Sequence, residues 1–404
     1  MKKDKSILIA LVVGSLVSPP LISADNTNAF QQFKNQQTQG ANNLKQEFAQ
    51  YKKELEQGFA AYKKAYQDAY NEEKKAVTKV WGDYRPGDRK KWVQYDKGGI
   101  RESVNFASGE VELEMIVNKN TSTQKTEDDL KQKILSLLQT STADAFKKDR
   151  VAQTVENKIK SEPHVKTGKV PDTPVMGSLL PVVKSGDEKK IRQVSEQFAS
   201  KARTDVRAAQ IPDKKIVRVR FKVPTNAPDK SRQFMSFANK TADREKLPLP
   251  LVMAVMETES SFNPMAKSGI PAYGLMQIVP NSAGQDATAY LYGKAQILSP
   301  SYLYNGDNNI KIGTAYIHVL YYNYLKNVKD PVSRLYCAIA AYNTGAGNVA
   351  RAFIGSTNIT KASTKINQLS PKEVYLRLRK HLPYEETQRY VRKVSINMSK
   401  YEQI

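Results

Sequence analysis

With 404 residues and 40% hydrophobic content the chain is long enough for two or three cores, and its formal charge of +23 suits an acidic polymer or an anionic surface. A single cysteine, Cys337 in an apolar setting, excludes an internal disulfide, and three scattered histidines (His164, His318, His381) argue against a metal site, so no metal or cofactor is expected. No zinc-finger or RNP-like pattern accompanies the charge, which removes nucleic acid from the expected partners.

The first 24 residues place Lys2, Lys3 and Lys5 before an apolar run from Ile7 to Val17 and end at Ser23-Ala24, the pattern of a cleaved export signal. The run is too short to span a bilayer comfortably, and no later segment has membrane length. Residues 25–80 then read as one long amphipathic helix with a period of 11: Phe48-Ala49-Gln50-Tyr51-Lys52-Lys53 recurs as Phe59-Ala60-Ala61-Tyr62-Lys63-Lys64. The track Phe33, Leu44, Leu55, Tyr66, Val77 has the same step, and eleven residues are three helical turns, so these side chains line one nearly straight stripe. Packing of that stripe on the chain's own body, or self-association, is the plain expectation; a docking arm for membrane or cell-wall polymer is the sharper one.

Residues 81–224 are expected to form an α+β domain with a small antiparallel sheet. Trp92–Tyr95, Ile100–Phe106 and Val111–Val117 alternate like strands between Gly-containing turns, helical patterns follow near 127–140, 144–160 and 187–208, and Lys215–Pro224 alternates again with a basic face. Strands at both ends enclosing helices predict that the last strand returns to the first sheet. No catalytic constellation is visible in this stretch, and its Arg and Lys side chains read as a solvated face.

From 225 to 404 the pattern is helical. A hydrophobic helix opens at Pro248 and Pro250, carries Leu251, Val252, Val255 and Met256, and is expected to stop at Asn263-Pro264. At 100° per residue Glu259 lies about 20° from Val252 and about 40° from Val255, whereas Glu257 points roughly 160° from Val255. Glu259 therefore faces the core and Glu257 reads as a solvated charge. Burial and the negative helix end both disfavour the Glu259 carboxylate and keep its proton available. Asp286 and Asp307 lie in turn-like surroundings that favour helix capping.

Three further motifs accompany the Met256-Glu257-Thr258-Glu259-Ser260-Ser261-Phe262-Asn263-Pro264 segment: Tyr273-Gly274-Leu275-Met276-Gln277-Ile278-Val279-Pro280, Ala340-Ala341-Tyr342-Asn343-Thr344-Gly345-Ala346-Gly347, and Pro383-Tyr384-Glu385-Glu386-Thr387-Gln388-Arg389-Tyr390-Val391. With these in order, residues from about 235 to 397 resemble the lysozyme-like domain of the lytic murein transglycosylases, and the β-rich segment before it resembles the membrane-bound type C group of those enzymes. The resemblance implies an all-α lysozyme-like catalytic domain over 225–404 and a mostly helical α+β protein overall. It implies Glu259 as the single acid and base cleaving the β-1,4 bond between N-acetylmuramic acid and N-acetylglucosamine of peptidoglycan, with 1,6-anhydro-muramic ends as products. It also implies Ser268 and Gln277 in the saccharide groove, Tyr342 and Asn343 near the carboxyl, and Glu386 with Tyr390 on the far wall.

Those residue types suit a saccharide, because Ser, Gln and Asn offer neutral hydrogen bonds to N-acetyl and hydroxyl groups and Tyr offers a face to a sugar ring. The implied partner is the peptidoglycan glycan strand, and the implied location the periplasm. The type C group carries a lipid-modified cysteine after its signal and this sequence has none, which makes the long helix the candidate for peripheral contact with the outer membrane. Pro271 replaces a common glycine and Gln388 a common arginine, so the groove edge is expected to differ. A hydrolytic muramidase of the goose-lysozyme type shares the fold and the glutamate, and a non-catalytic wall-binding scaffold would also explain the charge and the helix.

Overall fold

The computed structural model describes residues 24–402 except 97, 98 and 270. The expected export signal lies outside the described residues, apart from Ala24. Two compact units are distinguished, one up to Glu54 and one from Leu55 onward.

Helix α1 covers Ala24–Trp81. In the first unit its stripe is bare: Leu44 is 56% and Phe48 67% exposed, and the Phe33 side chain lies outside the described set. In the second unit the same stripe is core, with Leu55, Tyr62, Tyr66, Val77 and Trp81 all buried. The helix backbone comes close at Gly58, where an added Cβ would stand 2.9 Å from Ile297 Cδ1. Packing on the chain's own body therefore holds for the helix from Leu55 onward, and an 11-residue period is what keeps one face against that body for so many turns.

The sheet is antiparallel and five-stranded. Strands β1 (Lys91–Asp96), β2 (Ile100–Asn105) and β3 (Glu110–Asn118) form a meander, and β4 (Arg203–Ala208) and β5 (Lys214–Lys222) complete the order β1-β2-β3-β5-β4. The last strand does return to the first sheet, pairing from Glu110↔Lys222 to Asn118↔Lys214. Between β3 and β4 run α2 (Thr123–Gln139), α3 (Thr142–Lys148), α4 (Arg150–Ile159) and α5 (Glu188–Lys201). The predicted helix over 144–160 breaks at Asp149, whose carboxylate caps α4 and also takes Lys267 Nζ at 2.9 Å.

The predicted helix over 187–208 needs correction, because it ends at Lys201 and Arg203–Ala208 is a strand. Its residues are almost all exposed, so no apolar alternation marks it. Pairing with β5 from Arg203↔Arg220 to Ala208↔Lys215 overrides local preference.

The expected solvated basic face of β5 is also partly wrong. Glu114, fully buried on β3, takes Arg218 Nε at 3.2 Å, Arg85 Nη1 at 3.2 Å and Arg101 Nε at 2.5 Å. The Arg101 guanidinium, itself buried, reaches Asp83 at 2.7 Å and lies 4.6 Å over the Trp81 ring, tying the end of α1 to the sheet.

The C-terminal part is helical: α6 (Ala227–Glu245), α7 (Leu249–Ser260), α8 (Ala283–Tyr292), α9 (Gly306–His318), α10 (Pro331–Thr344), α11 (Ala346–Ile354), α12 (Ile359–Ile366), α13 (Pro371–His381) and α14 (Glu385–Tyr401). Helix α7 is apolar nearly all round and is buried from Leu251 to Met256, as a central helix must be. It stops at Ser260 rather than at Asn263-Pro264: Ser261 and Phe262 take φ of 52° and 66°, and the Ser261 N–H closes the last turn onto Glu257 O at 3.0 Å.

Glu257 is corrected as well. It is half-buried and held by Lys400 Nζ and the Tyr401 hydroxyl, both at 2.9 Å, so it joins α7 to the end of α14. Asp286 and Asp307 sit in the first turns of α8 and α9, where helix N-termini favour carboxylates, although Ser282 and Asn305 hold the cap positions themselves.

Candidate active site

Glu259 is the penultimate residue of α7 and is 4% exposed. Burial pushes its carboxyl up to about 7, against the opposing pull of the Tyr390 hydroxyl and Arg89, while Glu386 pushes upward and Lys90 downward. Tyr390, on α14, is buried beside the carboxyl, with its hydroxyl in no hydrogen bond of good geometry. Tyr342, near the end of α10, also feels the Glu259 charge, and both effects, burial foremost, hold its phenol protonated.

The Tyr342 hydroxyl donates to Met276 O at 2.7 Å and so fastens the Tyr273–Ile278 loop beneath the acid helix's end. Asn343 receives the Thr387 hydroxyl at 2.6 Å, which locks α10 to α14. Gln277 has φ of 49°, an uncommon left-handed conformation for a residue with a side chain. Its side-chain nitrogen donates to Gly274 O at 3.0 Å, and its Oε1 is buried without a partner. A buried acceptor left open in this way asks for a hydrogen bond that a ligand can supply.

Of the six residues expected around the acid, Tyr342 and Tyr390 reach the carboxyl's surroundings, and Asn343 and Gln277 flank them. Glu386 is exposed and reaches the acid through Arg89, whose Nη2 lies 2.7 Å from Glu386 Oε1 and whose Nη1 lies 3.6 Å from Glu259 Oε2. Ser268 is placed against α1 instead, where its carbonyl accepts the Tyr66 hydroxyl at 3.0 Å.

Two participants escaped the sequence reading. Arg89 comes from the segment in which no catalytic constellation was visible; the cluster Pro86-Gly87-Asp88 marks a tight turn there, but nothing in it points toward residue 259. Asn309, fully buried on α9, accepts Met276 N–H at 2.8 Å and donates to Tyr273 O at 2.7 Å and Leu303 O at 2.9 Å.

Asn309 explains why position 274 holds glycine. Gly274 has φ of 73°, and an added Cβ would stand 2.6 Å from Leu303 O and collide with Asn309 Nδ2. Gly274→Ala is expected to cost about 2–4 kcal/mol from left-handed strain and overpacking together. Thermal unfolding measures the loss, and an unchanged melting temperature would show that the loop does not depend on this contact.

The arrangement is a buried carboxyl pushed up to about 7, with phenols and amides around it and the cations Arg89 and Lys90 acting on it. Such a group can give a proton to a leaving oxygen near neutral pH and then act as a base. The other nearby carboxylates are engaged, Glu386 by Arg89 and Glu257 by Lys400 and Tyr401.

Residues 236–364 match the family described as Transglycosylase SLT domain, and the match takes in Glu259, Ser268, Gln277, Tyr342 and Asn343. Arg89, Glu386 and Tyr390 lie outside it. The chain is 40% identical over 179 residues to membrane-bound lytic murein transglycosylase C of Serratia proteamaculans, covering 44% of this chain and 49% of that one. It is 39% identical to the protein of the same name from Pectobacterium atrosepticum, with the same coverage. The chain thus spans about half the length of the relatives it matches. The crystal structure of the 70 kDa soluble lytic transglycosylase of Escherichia coli superimposes with a TM-score of 0.33 at 17% identity, over 69% of this chain and 44% of that one.

Proposed function

We propose that this protein is a lytic transglycosylase of peptidoglycan, with Glu259 as its one acid and base. The observation that carries the reading is a carboxyl pushed up to about 7 by burial, inside an SLT domain, with the neighbouring carboxylates already committed to cations.

The protonated Glu259 gives its hydrogen to the oxygen bridging N-acetylmuramic acid and N-acetylglucosamine. The substrate's own acetamido group supports the cationic carbon as that bond breaks. The Glu259 carboxylate then takes the proton from the muramic 6-hydroxyl, whose oxygen closes on the anomeric carbon. The product is a 1,6-anhydro end, and the acid is protonated again without consuming water. Gln277 Oε1 and the Asn343 amide serve as hydrogen-bonding groups for the glycan, Tyr342 and Tyr390 as walls, and Glu386 as the outer limit of the groove.

Export of the chain through its N-terminal segment would place it in the periplasm. No helix of the described residues is long and apolar enough to cross a membrane, and the Leu44 and Phe48 stripe is the candidate for peripheral contact with the outer membrane.

Digestion of purified sacculi by the full chain, followed by mass spectrometry, tests the reading. Muropeptides lighter by one water than their reducing-end counterparts are expected. Reducing ends in their place would make the protein a hydrolase of the goose-lysozyme type, and intact sacculi a binding scaffold.

A further inference from the structure

We propose that Arg89 is a positioning residue for Glu259, carried to the acid from outside the SLT domain by a rigid turn and paired on its outer side with Glu386. The inference rests on the transglycosylase reading above.

The turn is built to hold one side chain out. Asp88 N–H donates to Lys91 O at 2.8 Å, and the Asp88 carboxylate accepts the N–H groups of Lys90 and Lys91 at 2.7 and 2.8 Å. Phe106 N–H donates to Lys90 O at 2.8 Å and secures the turn to the sheet. Arg89 stands at its tip, and its own carbonyl accepts the Asn263 amide at 3.5 Å, from the turn that ends the acid's helix. The guanidinium then spans two carboxylates, Glu259 at 3.6 Å and Glu386 at 2.7 Å. An arginine fork suits such a bridge because it is planar and always charged.

The consequence follows from the acid's two duties. Burial favours the neutral form that gives the proton; the step after it needs the carboxylate. A cation at 3.6 Å supports that second form inside the buried site, and Glu386 both steadies the cation and offsets part of its charge. The groups facing Glu259 are Arg89 and Lys90 from the turn, Glu386 and Tyr390 from α14, and Tyr342 from α10. Glu257, on the acid's own helix, is occupied by Lys400 and Tyr401.

Cleavage of soluble glycan strands by the full chain is followed against pH. Arg89→Met is expected to move the alkaline limb upward by about one pH unit and to lower kcat by at most about tenfold, the limit at which all of that change reaches the proton-transfer step, with KM little altered. Arg89→Lys keeps the charge and should return the limb toward its original place. Glu386→Gln removes the opposing charge and should move the limb downward. A residue that merely braced the fold would not shift the limb in opposite directions. Unmoved limbs in Arg89→Met and Glu386→Gln overturn the proposal; should Arg89→Met fail to melt cooperatively, Glu386→Gln and Arg89→Lys decide it alone.

A second readout needs no substrate. The pH dependence of melting, compared with and without Glu259→Gln in the wild-type and Arg89→Met backgrounds, reports the acid's proton affinity directly. An equal affinity in both backgrounds also overturns the proposal. Because this measurement does not use cleavage, a wild-type protein that fails to make anhydro ends sinks the functional reading and leaves the Arg89 result separately legible.

Discussion

Glu259→Gln is expected to remove at least 10² to 10⁴ of the cleavage rate, about the range typical of general acid–base assistance, while binding of glycan persists. The amide keeps the shape of the acid and loses both proton transfers. Wild-type cleavage should itself fall as pH rises through about 7, where the buried acid loses its proton. The same substitution should stabilise the fold at high pH.

Folding raises the carboxyl from its ordinary 4.5 to about 7, so the protonated form's advantage is fully present below 4.5 and is lost as pH rises through 7. Above that, the buried carboxylate costs on the order of 3–4 kcal/mol. Glu259→Gln should therefore melt higher than the wild type near pH 8, with the difference vanishing near pH 4. A variant that retains activity would mean that the side chain is not the acid, and one that melts with the wild type at every pH would mean that burial does not raise its proton affinity. Stability given up at a functional carboxyl is a common trade-off.

The second large effect is expected far from the acid. Glu114→Gln leaves the buried Arg101 guanidinium with Asp83 as its remaining carboxylate and weakens the hold on Arg85, Arg207 and Arg218. Burial works against the Glu114 carboxylate, but the arginines outweigh it and hold its pKa below the ordinary range. Breaking such a cluster from one side costs about 3–5 kcal/mol, whereas replacing both partners with apolar residues of similar volume is far milder. Chemical denaturation of Glu114→Gln and of the double variant Arg101→Met/Glu114→Leu measures the difference. If the double variant were the less stable by the sum of both single losses, the charges would not be acting as a pair. The single loss should also lower activity indirectly, because Arg85 and Asp83 precede the turn that carries Arg89 in the chain.

Much of this architecture is legible in the order of residues. The period of 11 marks α1, alternation marks β1, β2, β3 and β5, and the position of Glu259 among Val252 and Val255 marks a buried acid. Each of these signals is local, because a helix or strand that buries one face must repeat its apolar residues at its own period. Strand β4 escapes such a reading because it buries almost nothing and is held by its neighbour's backbone. Glu257 misleads it because helical periodicity assigns a face and says nothing of what another helix places opposite; α14 supplies Lys400 and Tyr401 there.

The sequence by itself thus determined the burial of Glu259, the helix that buries it and the glycine-marked loop, since all three depend on residues within a few turns of one another. Only the tertiary structure decided what surrounds the acid: Arg89 stands 170 positions before it and Glu386 stands 127 after it by residue number. Ion pairs of that separation leave no periodic trace, because their energy depends on distance in space and on shielding from water, and neither is written in the order of residues.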